Sequence, residues 1–384
     1  MPVQHEVKAA VTEWQSLFSA YRIVVIRGDE VTQGVLHSEL SADDPLVRAA
    51  AAGWEGTHFL HQTDHGLEVT LVRPAGPRPR ERWWLHILLA LLTLFTTTVA
   101  GAYLDGQDPL RLLSRSFGPW AFPVPRGLVL AQLLPGFAFS VPLMVILLGH
   151  EMGHYLVARR HRMDVSPPYF VPAPNWINLI GTFGAFIRLR SPMINRVMLL
   201  DVGAGGPLVS FVLSIPFLVL GLLWSSTIPV DPSTAPAHFA VLFSGAPLWL
   251  GDSLLVRIIA LATGTASGVW VLHPFALAGW LGLFVTALNL FPLAQLDGGH
   301  ILYALLGSAQ KRIGVAFLFL LVGLGWWWWG WWFWAAVILF LGRGSIGHPA
   351  VFDPRLPVTG VRRWVGWACV AIFLLTFLWR PFPM

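Results

Sequence analysis

Two patterns of apolar and polar positions divide the chain. Before residue 76 apolar residues come in short helical or alternating stretches, and after residue 83 they come in runs of about 20. Val7–Tyr21 has helical periodicity and Ile23–Ile26 is a short β-branched run. Thr57–Gln62 and Leu67–Val72 flank Thr63-Asp-His-Gly66, the pattern of a hairpin. Residues 1–76 therefore read as a small soluble α/β module, followed by a stiff basic linker over Pro74–Arg82.

A helix crossing about 30 Å of hydrocarbon needs about 20 mostly apolar residues. Trp83–Tyr103, Leu128–Leu148, Met198–Trp224, Val269–Phe291 and Trp364–Trp379 fit that requirement. Ile313–Leu341 fits one strongly tilted span or a broken pair, and Leu254–Thr263 fits a short or interfacial helix. The expectation is about six transmembrane helices within residues 77–384. Tryptophan prefers bilayer interfaces, so the run Trp326–Trp334 reads as interface anchoring.

Composition agrees with lipid as the main solvent. Of 384 residues, 55% are hydrophobic and 12% charged, about half the charged share of an average soluble domain. Through Arg73 ten acidic residues face five basic ones, and the remainder holds 20 basic against 10 acidic. Arg78, Arg80 and Arg82 precede the first span. Arg159, Arg160 and Arg162 follow the second, Arg188, Arg190 and Arg196 precede the third, and Lys311 and Arg312 lie further on. This bias predicts a cytoplasmic N-terminal module and a second helix running from outside to inside, with Arg111, Arg115 and Arg126 on the far side. These arginines flank apolar spans instead of clustering on a soluble face, so no nucleic-acid partner is expected. The first 20 residues read as a polar helix, so no signal peptide is expected. The single Cys369 excludes an internal disulfide. His5, His37, His58, His61 and His65 read as solvated surface, since none has an acidic residue at ligand spacing.

One constellation stands out. Glu151, the only glutamate after Glu81, ends the second span inside His150-Glu151-Met152-Gly153-His154. Random placement of 13 His and 8 Glu would give this pattern about 0.01 times per chain. Histidines four apart project from one helix face, which suits one Zn²⁺ at about 2.0–2.1 Å. Glu151 sits beside such an ion without being a ligand and can take a proton from water. An ionisable group at membrane depth costs roughly 2.5–3.5 kcal/mol even on the lenient insertion scale, which marks it as functional.

Catalytic zinc normally has three protein ligands and an open position. Among the aspartates beyond residue 83, Asp297 alone follows a span directly within a helix-distorting setting, Asn289-Leu-Phe-Pro292-Leu-Ala-Gln-Leu-Asp297-Gly-Gly-His300. Irregular backbone at membrane depth is tolerated where it lines a protein or aqueous cavity. Asp297 reads as the third ligand, with a helix cap or packing counter-charge as the alternative.

Pro167–Pro174 cannot form a regular helix. Ile180–Leu189 fits a strand or loop entering the membrane, where an exposed edge would pair with an unwound peptide, or a plain cytoplasmic loop. Gly203-Ala-Gly-Gly206-Pro207 and Gly264–Gly268 read as small-residue packing faces, and the first would let the third span approach the second closely. His300 is a candidate partner for Asp297 or substrate. His86, His238, His273 and His348 have no partner legible in the sequence.

His150-Glu151-x-x-His154, followed by Asn289-x-x-Pro292-x-x-x-x-Asp297-Gly298, resembles the site-2 protease family of intramembrane zinc metalloproteases over roughly residues 128–310. Gly181-Thr-Phe-Gly184 before Ala185–Leu189 is similar to its plastid and bacterial branch. Together with the apolar patterning, this gives an expected all-α polytopic membrane protein with a soluble N-terminal α/β module, which the resemblance does not cover, and a short membrane-associated β/loop segment after the histidine-bearing helix. The resemblance implies one zinc held by His150, His154 and Asp297, with Glu151 as general base. Asn289 would hold the substrate strand or polarise its carbonyl. The substrate would be a transmembrane protein, cut in or near its helix to release a tethered signalling protein. The expected location is a bacterial cytoplasmic membrane, with the N-terminus and active site toward the cytoplasm. A proteolytically inactive metal-binding scaffold or transporter is the alternative class, and an intact Glu151 argues against it. No PDZ insertion is evident.

Overall fold

The computed structural model describes residues 14–383 except 27, 65, 78–79, 118–119, 230–234, 244–245, 294–295, 350 and 355. His5, His65, Arg78 and the start of the Val7–Tyr21 pattern lie outside the described residues. So do positions 294–295 of the Asn289–His300 motif. The chain forms two compact units. One comprises Met1–Glu81 with Ala158–Ser166 and Arg188–Ile194, and the other comprises Arg82–Val157, Pro167–Ile187 and Asn195–Met384.

The first unit is a four-stranded antiparallel sheet of order β1-β2-β4-β3, from β1 (Phe18–Ile26), β2 (Asp29–Leu36), β3 (Thr57–Thr63) and β4 (Gly66–Pro74). Helices α1 (Trp14–Leu17) and α2 (Pro45–Gly53) complete it. Phe18, Leu36, Val47, Val69 and Leu71 form its core, and the Trp14 indole donates to the Ala50 carbonyl at 3.1 Å. The hairpin around Thr63–Gly66 is present, with Thr63 opposite Gly66. The helix expected through Tyr21 ends at Leu17. From Phe18 the chain pairs with β2 instead, because Tyr21–Val25 is rich in β-branched and aromatic residues.

The second unit holds three helices long and apolar enough to cross a membrane: α3 (Trp83–Leu104), α4 (Phe137–Arg160, entered through a tight turn from Leu130) and α5 (Arg196–Leu223). The last three residues of α4 belong to the first unit. The other apolar helices are shorter: α6 (Leu254–Thr263), α7 (Pro274–Asn289), α8 (Asp297–Leu306), α9 (Ala309–Leu324), α10 (Gly330–Leu341) and α11 (Gly360–Thr376). Of the six expected spans, three are therefore full-length helices among the described residues. Ile313–Leu341 is a broken pair, interrupted over Gly325–Trp329. The Trp-rich run is not uniformly exposed. Trp326 is 80% exposed, whereas Trp331 is buried and its indole donates to the Trp379 carbonyl at 2.8 Å.

The second unit is also not all-α. β5 (Leu112–Phe117) and β6 (Trp120–Pro125) form a hairpin. β9 (Ser226–Ile228), β10 (Phe239–Phe243), β11 (Ala246–Leu250) and β12 (Val269–Val271) form a sheet of order β11-β10-β12-β9. Val269–Val271 was expected to open a span. It pairs with β9 and β10, and the helix starts only at Pro274, whose fixed φ suits a first turn. Strands of three to five residues are too short to show alternation, which is why apolar content alone read as membrane helix.

Between α4 and α5 the proline-rich segment folds into β7 (Tyr169–Pro172), antiparallel to β8 (Thr182–Phe186). The Thr96 hydroxyl of α3 donates to the Gly181 carbonyl at 2.6 Å, fixing the start of β8. His86 has a partner here, its Nδ1 lying 3.0 Å from the Pro168 carbonyl.

Candidate metal centre

His150 and His154 lie on successive turns of α4, their ring centroids 4.8 Å apart and both side chains buried. The chain returns to them through the break after α7. Asp297 is the first residue of α8, and Gly298 beside it is required, since a Cβ there would collide with the Leu290 carbonyl. Leu296 holds the cap position of α8, and the Asp297 Oδ2 points at the two imidazoles. It is 3.3 Å from His154 Nε2 and 3.5 Å from His150 Nε2, and the two Nε2 atoms are 3.1 Å apart.

Those three separations test the donor set. Zinc bonds of about 2.0–2.2 Å at tetrahedral angles place neighbouring donor atoms about 3.3–3.6 Å apart. The observed triangle lies within a few tenths of an ångström of that. His150, His154 and Asp297 also form the group of His, Cys, Asp and Glu side chains able to hold a metal ion among the described residues. Two imidazoles and one carboxylate leave a fourth position free, the ligand count of a catalytic site.

Backbone contact between helices makes the arrangement possible. A Cβ on Gly153 would run into the Gly205 carbonyl, and one on Gly205 would stand 2.8 Å from the Gly153 carbonyl. The glycine run of α5 thus presses the third span onto α4, as its composition suggests. At this distance His154 Nδ1 donates to the Val202 carbonyl at 2.7 Å, and His150 Nδ1 lies 3.1 Å from Ser210 Oγ. Ser210 is itself 2.8 Å from Thr286 Oγ1 on α7. These partners orient each ring and leave Nε2 for an ion. Sequence reasoning did not single out Val202, Ser210 or Thr286. A backbone carbonyl carries no signal, and small hydroxyls within apolar helices usually serve packing.

Glu151 is buried beside the donors and accepts a hydrogen bond from the Ile187 backbone, one residue past β8. Asn289 closes α7 with its Nδ2 3.2 Å from His150 Nε2. These groups open onto a cavity of about 500 Å³, which is lined also by Phe183 and Gly184 of β8 and by Trp334 of α10. His300 Nδ1 lies 2.8 Å from His348 Nε2.

Residues 138–322 match the sequence profile of Peptidase family M50. This segment is an M50 domain. The M50 domain includes the whole of the donor set and Glu151. Probable zinc metalloprotease EGY1, chloroplastic, from Oryza sativa subsp. japonica is 31% identical over 252 residues, covering 63% of this chain and 41% of that protein. Probable zinc metalloprotease EGY2, chloroplastic, from Arabidopsis thaliana is 30% identical over 311 residues, 77% of this chain and 48% of that one. The rice EGY2 protein from subsp. indica is 32% identical over 269 residues, 66% and 44% of the two chains. The chain thus spans less than half the length of these curated relatives. No solved structure matches. The plastid side of the expected branch is the one matched, and chloroplast relatives give no support for a bacterial cytoplasmic membrane.

Proposed function

We propose that this chain is an intramembrane zinc endopeptidase that hydrolyses peptide bonds in or near transmembrane helices of other membrane proteins. The observation that carries the reading is the triangle of His150 Nε2, His154 Nε2 and Asp297 Oδ2 at 3.1–3.5 Å, with Glu151 buried beside it. The relatives' printed name, zinc metalloprotease, supports it. So do the three helices of membrane-spanning length.

The chemistry zinc supplies in such a site is Lewis acidity, which acidifies water toward neutral pKa and polarises a carbonyl. Glu151 takes the proton from the attacking water and returns it to the nitrogen of the breaking C–N bond. The Asn289 amide donates to the scissile carbonyl. A helical substrate has its backbone groups bonded internally and must unwind before attack. The free edge of β8, whose Phe183 and Gly184 line the cavity, offers the unwound stretch a pairing partner. Release of a membrane-tethered signalling protein is the proposed outcome.

The test is co-expression of the full chain with a tagged single-span membrane protein. Wild type should cut it, and Glu151→Gln should leave it intact while keeping its zinc. Equal cleavage by both removes Glu151 from the reaction.

A further inference from the structure

A second cavity, of about 440 Å³, lies between α8, α9 and α11 with Gly298 in its lining, and no residue lining it is charged. We propose that this groove holds one acyl chain of an anionic phospholipid, with the headgroup phosphate at Arg312 and Arg363.

The side chains on the two outer helices set the groove's direction. On α11 Trp367, Val370 and Leu374 line it, and on α9 Ala316 and Leu320 do so. Residues three and four apart share a helix face. Arg363 is therefore one turn before Trp367 on the lining face of α11, and Arg312 is one turn before Ala316 on that of α9. Both arginines are exposed. Arg362, by contrast, is engaged with Asp201 at 2.9 Å. The two helices start at the same end of the groove, because Gly366 of α11 packs on Leu305 at the end of α8, three residues before Ser308 leads into α9. Both cations thus lie one turn beyond the lining residues at the same end of an apolar slot, and Trp364, next in sequence to Arg363, is 76% exposed. This is the arrangement that binds an anionic headgroup at a membrane surface.

Length decides between a lipid chain and a partner helix. From Arg363 to Leu374, the far end of the lining, α11 rises about 16 Å at 1.5 Å per residue, close to half of the roughly 30 Å hydrocarbon thickness. One leaflet's acyl chain reaches that depth, whereas a spanning helix needs the whole. Trp367, Leu374 and Leu320 remain 39%, 66% and 49% exposed, as surfaces solvated by a lipid chain are. Gly298, Ile301 and Leu302 line the slot, so the chain would pack against the helix that carries Asp297.

The full chain, delipidated in detergent, should be titrated with dioleoylphosphatidylglycerol or dioleoylphosphatidylcholine and examined by native mass spectrometry. The expected result is one tightly held phosphatidylglycerol, at least 5-fold weaker in the Arg312→Gln/Arg363→Gln variant and absent in Ala316→Trp, which fills the slot. The arginine pair is on the surface, so that variant answers even if Ala316→Trp fails to fold. Equal retention of the two lipids, or retention unchanged in the arginine variant, overturns the proposal. So does a photo-crosslinker at Val370 that labels a polypeptide instead of lipid in membranes.

Discussion

A Cβ on Gly206 would occupy the place of the His154 imidazole, overlapping Nε2 itself. The metal-facing atom of one helix therefore rests against the bare backbone of its neighbour. Gly206→Ala should push the ring out of the donor triangle. We expect zinc per purified chain, read by elemental analysis, to fall at least about 10-fold, the scale of lost orienting contacts. Full zinc content in that variant would mean the ring has other room.

Ser210 holds the other imidazole. Ser210→Ala removes the hydroxyl 3.1 Å from His150 Nδ1 and leaves Thr286 without its 2.8 Å partner. Metal affinity should drop about 10–100-fold with the fold intact. Competition against a chromogenic chelator measures it. Thr286→Val acts one bond further out and should cost less.

Glu151 and Asp297 should separate cleanly. Glu151→Gln removes the proton carrier, so cleavage should fall by about 10²–10⁴ while zinc stays bound. Asp297→Asn removes an anionic donor, so zinc content should fall together with activity. A chelator should silence wild type, and added zinc should restore it.

Outside the membrane helices, His348 ties the loop after α10 to His300 of α8, and its backbone N–H donates to Gln310 Oε1 at 2.9 Å. Burial pushes its pKa below the usual 6.5. Its folded value lies below its unfolded one, so the unfolded state binds the proton first and acid weakens the fold. Melting temperature should decline as pH falls through and below about 6.5, and the decline should be shallower in His348→Gln.

The chemistry was more legible than the architecture. His150, Glu151 and His154 are readable because one helix carries them at four-residue spacing, and Asp297 because proline and glycines surround it. Gly203–Pro207 announced a close helix crossing, and the crossing is there. Ser210 and Thr286 were not readable, since their role exists only once α4, α5 and α7 meet. The sheet of β9–β12 escaped notice for a different reason: its strands are three to five residues long, too short to show alternation, and only β12 fell within an expected span. The histidines without apparent partners, His86 and His348, found theirs across 82 and 48 residues, separations no local pattern encodes.

The donors arrive from opposite ends of the M50 domain, with 142 positions between His154 and Asp297. During synthesis the imidazole pair is made first and waits while the third long helix and the β9–β12 sheet follow. Until α8 emerges the ribosome-bound fragment lacks its carboxylate donor and has no complete centre. Assembly of the donor set is thereby tied to the emergence of α8, late in the synthesis of the domain.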